Sequence, residues 1–339
     1  ALFACSIAFP AYANLGVDWL ANQAQPDGHY SATHPIAMPV VATAATLRTF
    51  LGRGETQKTK PSMTAALDFL NASPFASTKT LASVLMVNVP AGRPVDHLIT
   101  ELAERVNHNG GLGDLDKYDS AVRDTALALE ALAMTEIIDT SLNALYPAID
   151  FLLKQQQANG GWADNGNQTS VSFTAQVMQA LWHYRHHLSN IPSLNVVPAL
   201  DQAQAYLLAQ RNDDGLWDET FESALALIAI LPRLTNVDEI ADSVAALRAA
   251  QLNDGSWEQD VYTTALALRA LHLAEAPQQN PDLGQILGVV IDGQTYTPLA
   301  GLPVSLSDNQ SQLTDNQGQF RFTNLEAGDY TVQLGQADT

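Results

Sequence analysis

The sequence predicts a mainly α-helical protein, a ring of six helical hairpins, followed by a small C-terminal all-β sandwich. Two observations predict the ring: a phrase with a Gln, an Asn/Asp-Gly turn and an aromatic residue recurs, and each copy leads into an Ala/Leu-rich helix. The glycines of four copies stand at positions 111, 161, 215 and 255, at intervals of 50, 54 and 40 residues, which marks an array of supersecondary units. A switch from helical to alternating periodicity near residue 285 predicts the β-domain.

Each residue type in the repeated phrase has a structural role in the predicted hairpin. Its clearest copy is Gln-Leu-Asn-Asp-Gly-Ser-Trp at 251–257, and a weaker copy, at 107–112, has Leu in place of Trp. The glycine accepts a positive φ that a Cβ would resist, and the aromatic ring fills the corner of the hairpin. Helices before the turn carry a polar face and are predicted to lie outside, whereas the apolar helices after it are predicted to lie inside.

Twelve helical segments follow from this pattern, and prolines at 61, 94, 192, 198 and 232 fall between them. Pro26–Tyr30 is a diverged corner in the first pair, and Ser73-Pro74 joins the second pair without a glycine. The predicted pairs are Val17–Ala24 with Val40–Leu51, Ala65–Ala72 with Lys79–Asn88, Leu98–Val106 with Ala121–Ile137, Pro147–Gln157 with Val171–Tyr184, Leu200–Gln210 with Phe221–Leu231, and Ile240–Gln251 with Val261–Leu273.

The two ends of the chain are predicted to differ from the ring, which spans 14–276. Residues 1–13 contain an apolar run and end in Ala-Tyr-Ala, which indicates the remnant of a signal peptide and an exported protein that is periplasmic, cell-surface or secreted; the alternative is a buried N-terminal helix. Cys5, the only cysteine, lies in this leader and is a weak candidate for a lipid anchor. Residues 277–284 are predicted to be a linker before the β-sandwich at 285–339.

Composition limits the function. The chain has 16 basic and 36 acidic residues and a formal net charge of −20, which argues against binding nucleic acid or anionic lipid. Without Cys5 the chain has no thiol for a disulfide, a covalent mechanism or a zinc site. No other run approaches the roughly 20 apolar residues of a membrane span.

The Gln-x-x-x-Gly-x-Trp phrases resemble the QW repeats of the squalene-cyclase and prenyltransferase superfamily, which implies an (α/α)6 toroid. The tail resembles the carboxypeptidase regulatory-like domain through Pro-Leu-Ala-Gly-Leu-Pro-Val at 298–304 and Thr-Asp-Asn-Gln-Gly-Gln-Phe-Arg-Phe at 314–322. Strands are predicted there at Gln285–Asp292, Pro303–Ser307, Gln319–Thr323 and Tyr330–Leu334. That module implies a structural or connecting role in exported proteins.

The resemblance also indicates which residues each of the family's known reactions would require. Squalene-type cyclases carry an Asp-x-Asp-Asp-Thr-Ala motif, and its middle aspartate, which protonates the alkene, aligns with Arg123. A guanidinium stays charged and cannot act as a strong acid. The zinc-ligand cysteine of protein prenyltransferases and the thioester phrase of complement relatives are absent, and cobalamin carriers have another type of β-domain. The resemblance therefore leaves enzymatic activity uncertain, with the balance against it.

Two local clusters are candidate metal sites, and Ca²⁺ is the one cofactor they suggest. Asp114, Asp116 and Asp119 resemble an oxygen-ligand loop for Ca²⁺, but the bidentate Glu of such loops is missing. His183 and His187 are four residues apart and fit a shared Zn²⁺, but no carboxylate is suitably spaced. A solvated acidic loop and a surface histidine cluster are the alternatives.

Carboxylates and aromatic residues at the turn-to-inner-helix junctions are predicted to surround the mouth of the toroid. Paired carboxylates beside aromatic rings suit acid/base chemistry on a glycan; the alternative is that the acids cap helices and the rings fill corners. Catalytic candidates are Asp124, Glu219 and Glu222; binding candidates are Asp119, Asp260, Tyr262, Trp162, Trp217 and Trp257; Asp164, Asp218 and Glu258 complete the set.

Two functions stay open at this point. The first is an exported, non-catalytic binding or scaffold protein with an extracellular protein or glycan partner. The second is a toroid enzyme that acts on a glycan or an isoprenoid through its inner-rim carboxylates. A pair of carboxylates about 5–10 Å apart in an open pocket would favour a glycosidase, and a cavity plugged by apolar side chains would favour a scaffold.

Overall fold

The computed structural model describes residues 11–33, 37–55, 60–74, 77–115, 118–135, 142–163, 166, 168–188, 191–234, 236–275, 284–290, 292, 299–307, 310–315, 318–325 and 329–335. The chain divides into two compact units, Ala1–Leu231 with Ile240–Ala276, and Pro232–Glu239 with Pro277–Thr339. The first is helical and the second contains the strands.

Twelve α-helices are described, and they match the twelve predicted segments in number and order. They are α1 Ala11–Asn22, α2 Pro39–Gly52, α3 Ser62–Ala72, α4 Thr78–Asn88, α5 Asp96–Glu104, α6 Val122–Leu132, α7 Tyr146–Gln155, α8 Val171–Trp182, α9 Val197–Ala209, α10 Thr220–Ile230, α11 Ala241–Ala249 and α12 Val261–Glu275. Short 3₁₀ helices stand at Leu142–Leu145, Pro192–Leu194, Leu231–Arg233 and Val237–Ile240. None of the helices described has the length and apolar character that crossing a membrane requires.

Two helices differ from prediction by several residues, α6 at its end and α1 at its start. Helix α6 was expected to reach Ile137 but ends at Leu132, where the Thr135 hydroxyl donates a 2.7 Å hydrogen bond to the Leu132 carbonyl and so satisfies a helix-terminal acceptor. The segment 136–141 lies outside the described residues. At the other end of the chain α1 begins at Ala11, six residues before the predicted start.

The even-numbered helices form the inner wall of a closed ring. They pack side by side in chain order, and α12 packs back against α2. The odd-numbered helices pack against them, as the outer-polar and inner-apolar pattern predicted. Of the residues of α4, only Lys79 is not buried, which shows how completely an inner helix is enclosed.

Five of the six hairpins have the same corner conformation. Each has a glycine with φ between 86° and 94°, namely Gly28, Gly110, Gly160, Gly215 and Gly255. In two copies the glycine with positive φ comes one residue before the glycine named from the sequence, at 110 and not 111, and at 160 and not 161. Both copies contain a Gly-Gly pair, so the sequence alone did not distinguish the two glycines. The Asn or Asp before the glycine accepts a hydrogen bond from the backbone N–H two residues on, for example Ser256 N to Asp254 Oδ1 at 3.0 Å.

A hydroxyl on the inner helix completes each of these corners. In the sixth hairpin, Thr264 Oγ1 accepts a 2.9 Å hydrogen bond from the backbone N–H of Trp257. The equivalent pairs are Tyr30 with Thr43, Leu112 with Thr125, Trp162 with Thr174, and Trp217 with Ser223. Buried backbone N–H groups need partners, so the hydroxyl ties the start of each inner helix to its corner.

The second unit contains two antiparallel sheets. β1 (Gly284–Val289) pairs with β4 (Gln319–Leu325), and β2 (Pro303–Leu306) lies between β3 (Ser311–Leu313) and β5 (Val332–Leu334). Val290, Val304, Leu306, Phe322 and Leu325 form the core. The alternating pattern predicted four of these strands but missed β3, which is only three residues long.

Candidate functional site

The inner helices enclose a cavity, the central chamber, that is lined in layers of side chains. The uppermost layer, the mouth, contains Lys79, Arg123, Ser172, Phe221 and Tyr262, each the second residue of its helix. The middle layer lies four residues beyond the mouth along each helix. The deepest layer, the floor, lies three residues beyond the middle layer, because residues i, i+4 and i+7 share a helix face. The middle layer includes Ala45, Ser83, Leu127, Gln176, Leu225 and Leu266, and the floor includes Arg48, Met86, Glu130, Gln179 and Arg269.

The chamber is open rather than filled. The space bounded by the mouth and middle layers is about 400 Å³, and a smaller space of about 60 Å³ continues down to the floor. The larger volume falls within the range of about 300–1,000 Å³ that is usual for small-molecule sites. Gln176 faces both spaces, and its Oε1 is buried without a hydrogen-bond partner among the described residues.

Two arginines and one glutamate meet at the floor. Arg48 of α2 donates a 2.6 Å hydrogen bond to Glu130 Oε1 of α6, and the Arg269 Nη2 of α12 lies 3.7 Å from the same oxygen. The Glu130 side chain is 5% exposed, against 18% for Arg48 and 25% for Arg269. The floor therefore joins three inner helices through one buried carboxylate.

The charges at the floor shift one another's pKa. Desolvation of Glu130 by burial acts to raise its pKa, but Arg48 and Arg269 outweigh it, so the pKa of Glu130 lies below its usual value. Burial, and then repulsion from Arg48, lower the pKa of Arg269 to about 10. His183 follows α8 and is accessible to solvent, yet desolvation by the surrounding protein is the main cause of its lowered pKa. Glu130 is thus held as a carboxylate and is unsuited to donate a proton.

The mouth combines cations with aromatic rings, and a carboxyl group lies beside it. The Arg123 guanidinium lies 5.9 Å from the centre of the Phe173 ring. Glu222, which is hydrogen-bonded to Ser172, is half-buried. Desolvation is the main cause of its raised pKa, whereas the Ser172 hydrogen bonds lower the pKa and Asp218 and Glu219 raise it further. Burial also raises the pKa of the Tyr262 phenol.

The three catalytic candidates are not brought together in the chamber. Asp124 is buried, but it stands one residue after Arg123 and is not among the residues that line the chamber. Glu219 precedes α10 and is exposed, and its side chain does not cap that helix. Glu222 lies near Glu219 and beside the mouth rather than in its lining.

Of the binding candidates, Tyr262 lies in the chamber and the others do not. Trp162, Trp217 and Trp257 are at most 2% exposed, and each indole Nε1–H donates to a backbone carbonyl ten residues earlier, at 2.7–2.8 Å. They occupy hairpin corners, which corresponds to the corner-filling alternative. Asp260 is buried and accepts hydrogen bonds from the backbone N–H groups of Thr263 and Thr33, in the manner of a helix cap.

The metal candidates do not assemble into a ligand cluster within the described residues. Asp114 and Asp119 are exposed, Asp116 lies outside the described residues, and so does Asp164 of the predicted rim. His183 and His187 are both exposed. No group of three or more His, Cys, Asp or Glu side chains suited to a metal is found in the described part of the chain.

Most of the residues that line the chamber were not predicted from the sequence. Lys79 and Arg48 are the only charged residues of their helices, and Glu130 and Arg269 lie among apolar residues within theirs. The sequence nevertheless contains a pattern that identifies these residues. If x is the mouth residue of an inner helix, the residues that face the chamber are x, x+4 and x+7. Isolated charges at these positions in helices otherwise buried are the ones that face the cavity.

No family model matches the chain. A curated relative, "Squalene hopane cyclase afumA" of Aspergillus fumigatus, is 28% identical over 157 residues, which is 46% of this chain and 20% of the relative. The match thus spans about a fifth of that protein's length.

Solved structures show the same fold at low identity. The type II terpene cyclase MstE from Scytonema has a TM-score of 0.62 at 16% identity, covering 78% of this chain and 98% of that chain. The α-1,6-mannanase GH76A of Salegentibacter sp. HEL1_6, an inactive variant in complex with α-1,6-mannotriose, has a TM-score of 0.62 at 11% identity over the same fractions. The ent-copalyl diphosphate synthase from Streptomyces platensis has a TM-score of 0.52 at 22% identity, covering 69% of this chain and 49% of that one. Together these similarities support a squalene-cyclase-like toroid.

Proposed function

We propose that this chain is a non-catalytic binding protein whose central chamber takes an elongated, mainly apolar ligand of the isoprenoid type. The carrying observation is an open chamber with apolar walls and a single lining carboxylate among the described residues, Glu130, which is held ionised by two arginines. Cyclisation of an alkene begins with a strong acid, and a carboxylate with a lowered pKa does not provide one.

The position of Arg123 supports this proposal further. It lines the mouth of the chamber at the place where the resemblance to squalene-type cyclases puts the proton-donating aspartate. A cation at that place removes the acid and changes the sign of the local charge. Walls such as Leu127, Leu225 and Leu266 suit a hydrocarbon chain. A variant of MstE, which has a similar fold, has been solved in complex with geranylgeranyl dihydroxybenzoate.

The cellular setting is part of the same proposal. The apolar run and Ala-Tyr-Ala at 1–13 favour an exported protein, periplasmic, cell-surface or secreted. The tail's resemblance to a carboxypeptidase regulatory-like domain favours a connecting role, with an extracellular protein or a glycan as partner.

A second candidate is a glycan-active enzyme, and one observation favours it. Glu222 is a half-buried carboxyl with a raised pKa, beside Ser172 at the mouth and near Asp218 and Glu219. Glycosidases use a pair of carboxyl groups, one of which is a general acid with a raised pKa. The inactive variant of the mannanase GH76A, which has a similar fold, was solved in complex with α-1,6-mannotriose.

Calorimetric titration with geranylgeraniol and with α-1,6-mannotriose tests these proposals, and mass spectrometry of the recovered compounds checks for conversion. We expect geranylgeraniol to bind and to be recovered unchanged. Leu225→Trp, which places an indole in the middle layer, should abolish binding, whereas Leu208→Trp at an exposed position of α9 should not. A converted isoprenoid, or cleavage of the mannotriose that Glu222→Gln abolishes, would overturn the non-catalytic function.

A further inference from the structure

The charge of the chamber is opposite to that of the protein. The chain carries −20, yet Lys79, Arg123, Arg48 and Arg269 line the chamber, against a single carboxylate, Glu130. Four cations and one anion give the described lining a formal charge of +3. A cavity lined by one sign of charge concentrates ions of the opposite sign, so this lining favours anions.

The floor in particular is short of negative charge. Arg48 and Arg269 both approach Glu130 Oε1, so two guanidiniums share one carboxylate. Buried charges are costly unless they are paired, and an arginine does not release its proton to escape that cost. A second anion at the floor would neutralise the excess charge, and Gln179 in the same layer adds a polar amide group.

The mouth is a weaker position for an anion. Arg123 already faces the Phe173 ring at 5.9 Å, and Asp218, Glu219 and Glu222 form an acidic group beside Ser172. Groups at the mouth are also nearer to bulk solvent, where salt screens them more strongly than at the floor. The walls between mouth and floor are mostly apolar, including Ala45, Leu127 and Leu225.

We infer that the ligand of the chamber is an amphiphilic anion whose carboxylate or phosphate head binds between Arg48 and Arg269 at the floor, with its hydrocarbon chain extending towards the mouth. This inference rests on the proposed binding function and deepens it by naming the ligand's head group. Arg48, Arg269 and Glu130 are then the residues that determine specificity, with Glu130 holding the two guanidiniums in position.

The test compares two probes that differ only in charge, decanoate and decan-1-ol, by calorimetric titration of the full chain at 0.15 M and 0.5 M salt. We expect decanoate to bind at least about tenfold more tightly, as one charge-assisted contact provides. The preference should persist at high salt, because buried charges are poorly screened. Arg269→Gln should remove the preference for decanoate over decan-1-ol.

Lys79→Gln is the matched control, since it removes a cation from the mouth of the same chamber. It should leave the preference for decanoate intact, and thermal melts should show that both variants are folded. Equal affinity of the wild type for the two probes would overturn the head-group inference while the binding function stands. Loss of the preference in Lys79→Gln but not in Arg269→Gln would place the head at the mouth, against this inference. Binding of neither probe would overturn the binding function itself.

Discussion

Glu130 on α6 accepts a 2.6 Å hydrogen bond from Arg48 on α2, two helices that are separated by α4 in the order of the ring. Because the pair is buried, removing the carboxylate leaves two guanidiniums without compensation. We expect Glu130→Gln to lower the free energy of unfolding by about 3 kcal/mol in urea titrations. Arg248→Gln, which breaks the exposed pair with Glu275, should cost less than about 1 kcal/mol. Equal losses in the two variants would contradict this role of Glu130.

The same residue predicts a pH dependence. The arginines hold the pKa of Glu130 below its usual 4.5, so its contribution to stability is present above pH 4.5 and is lost as the pH falls through the folded value. The difference in unfolding free energy between wild type and Glu130→Gln should therefore stay constant from pH 8 to 5 and shrink in stronger acid. A difference that shrinks as the pH rises from 5 to 8 would have the wrong sign.

Gly255 and Gly215 hold the same corner position but differ in what surrounds them. A Cβ on Gly255 would lie 2.6 Å from the Leu15 backbone, where α1 meets the last hairpin, whereas the nearest atom at Gly215 would be 3.5 Å away. Both have positive φ, so each alanine variant should lose roughly 1 kcal/mol from backbone strain. Gly255→Ala should lose about 1–3 kcal/mol more by overpacking, measured by chemical unfolding. Equal losses would show that α1 moves aside freely.

Thr264 tests the hydroxyl that completes the corners. Thr264→Val keeps the shape but leaves the buried N–H of Trp257 without its acceptor, and should cost about 1–3 kcal/mol. Thr264→Ser restores the hydroxyl and should recover most of that loss. Thermal unfolding of both variants provides the comparison, and a valine variant as stable as the serine variant would show that the hydrogen bond contributes little.

Glu222 has a pKa shifted in the opposite direction to that of Glu130. Burial raises its pKa, so the folded state favours the protonated carboxyl, and this favourable contribution is present at pH below 4.5 and lost as the pH rises through the folded value. Glu222→Gln should therefore melt slightly higher than wild type at pH 7, with the difference vanishing below pH 4. A variant that is less stable than wild type at pH 7 would show that Glu222 is favourably paired there.

The sequence was informative about the ring because its corners need particular residues. Asx-Gly turns and the apolar helices after them leave a readable pattern, and the recurring Trp marks a buried corner. The chamber was harder to predict, since Arg48, Glu130 and Arg269 come from helices far apart in sequence. Acids at the helix starts, such as Glu219, were predicted as site residues, but helix starts favour acids for reasons unrelated to ligands. The position of each residue along its inner helix, counted from the corner, is what distinguishes the chamber residues from the acids at the helix starts.

The packing of α12 against α2 determines how this architecture can change in size. An open array of helical repeats can gain or lose a unit at its end, because each unit contacts only its neighbours. In a closed ring every inner helix has two inner neighbours, so deleting one hairpin would break two interfaces and leave a gap. We therefore expect relatives of this toroid to keep six hairpins and to vary in the lengths of the connections between them. Changes of ligand would then arise from substitutions at a fixed set of inward positions.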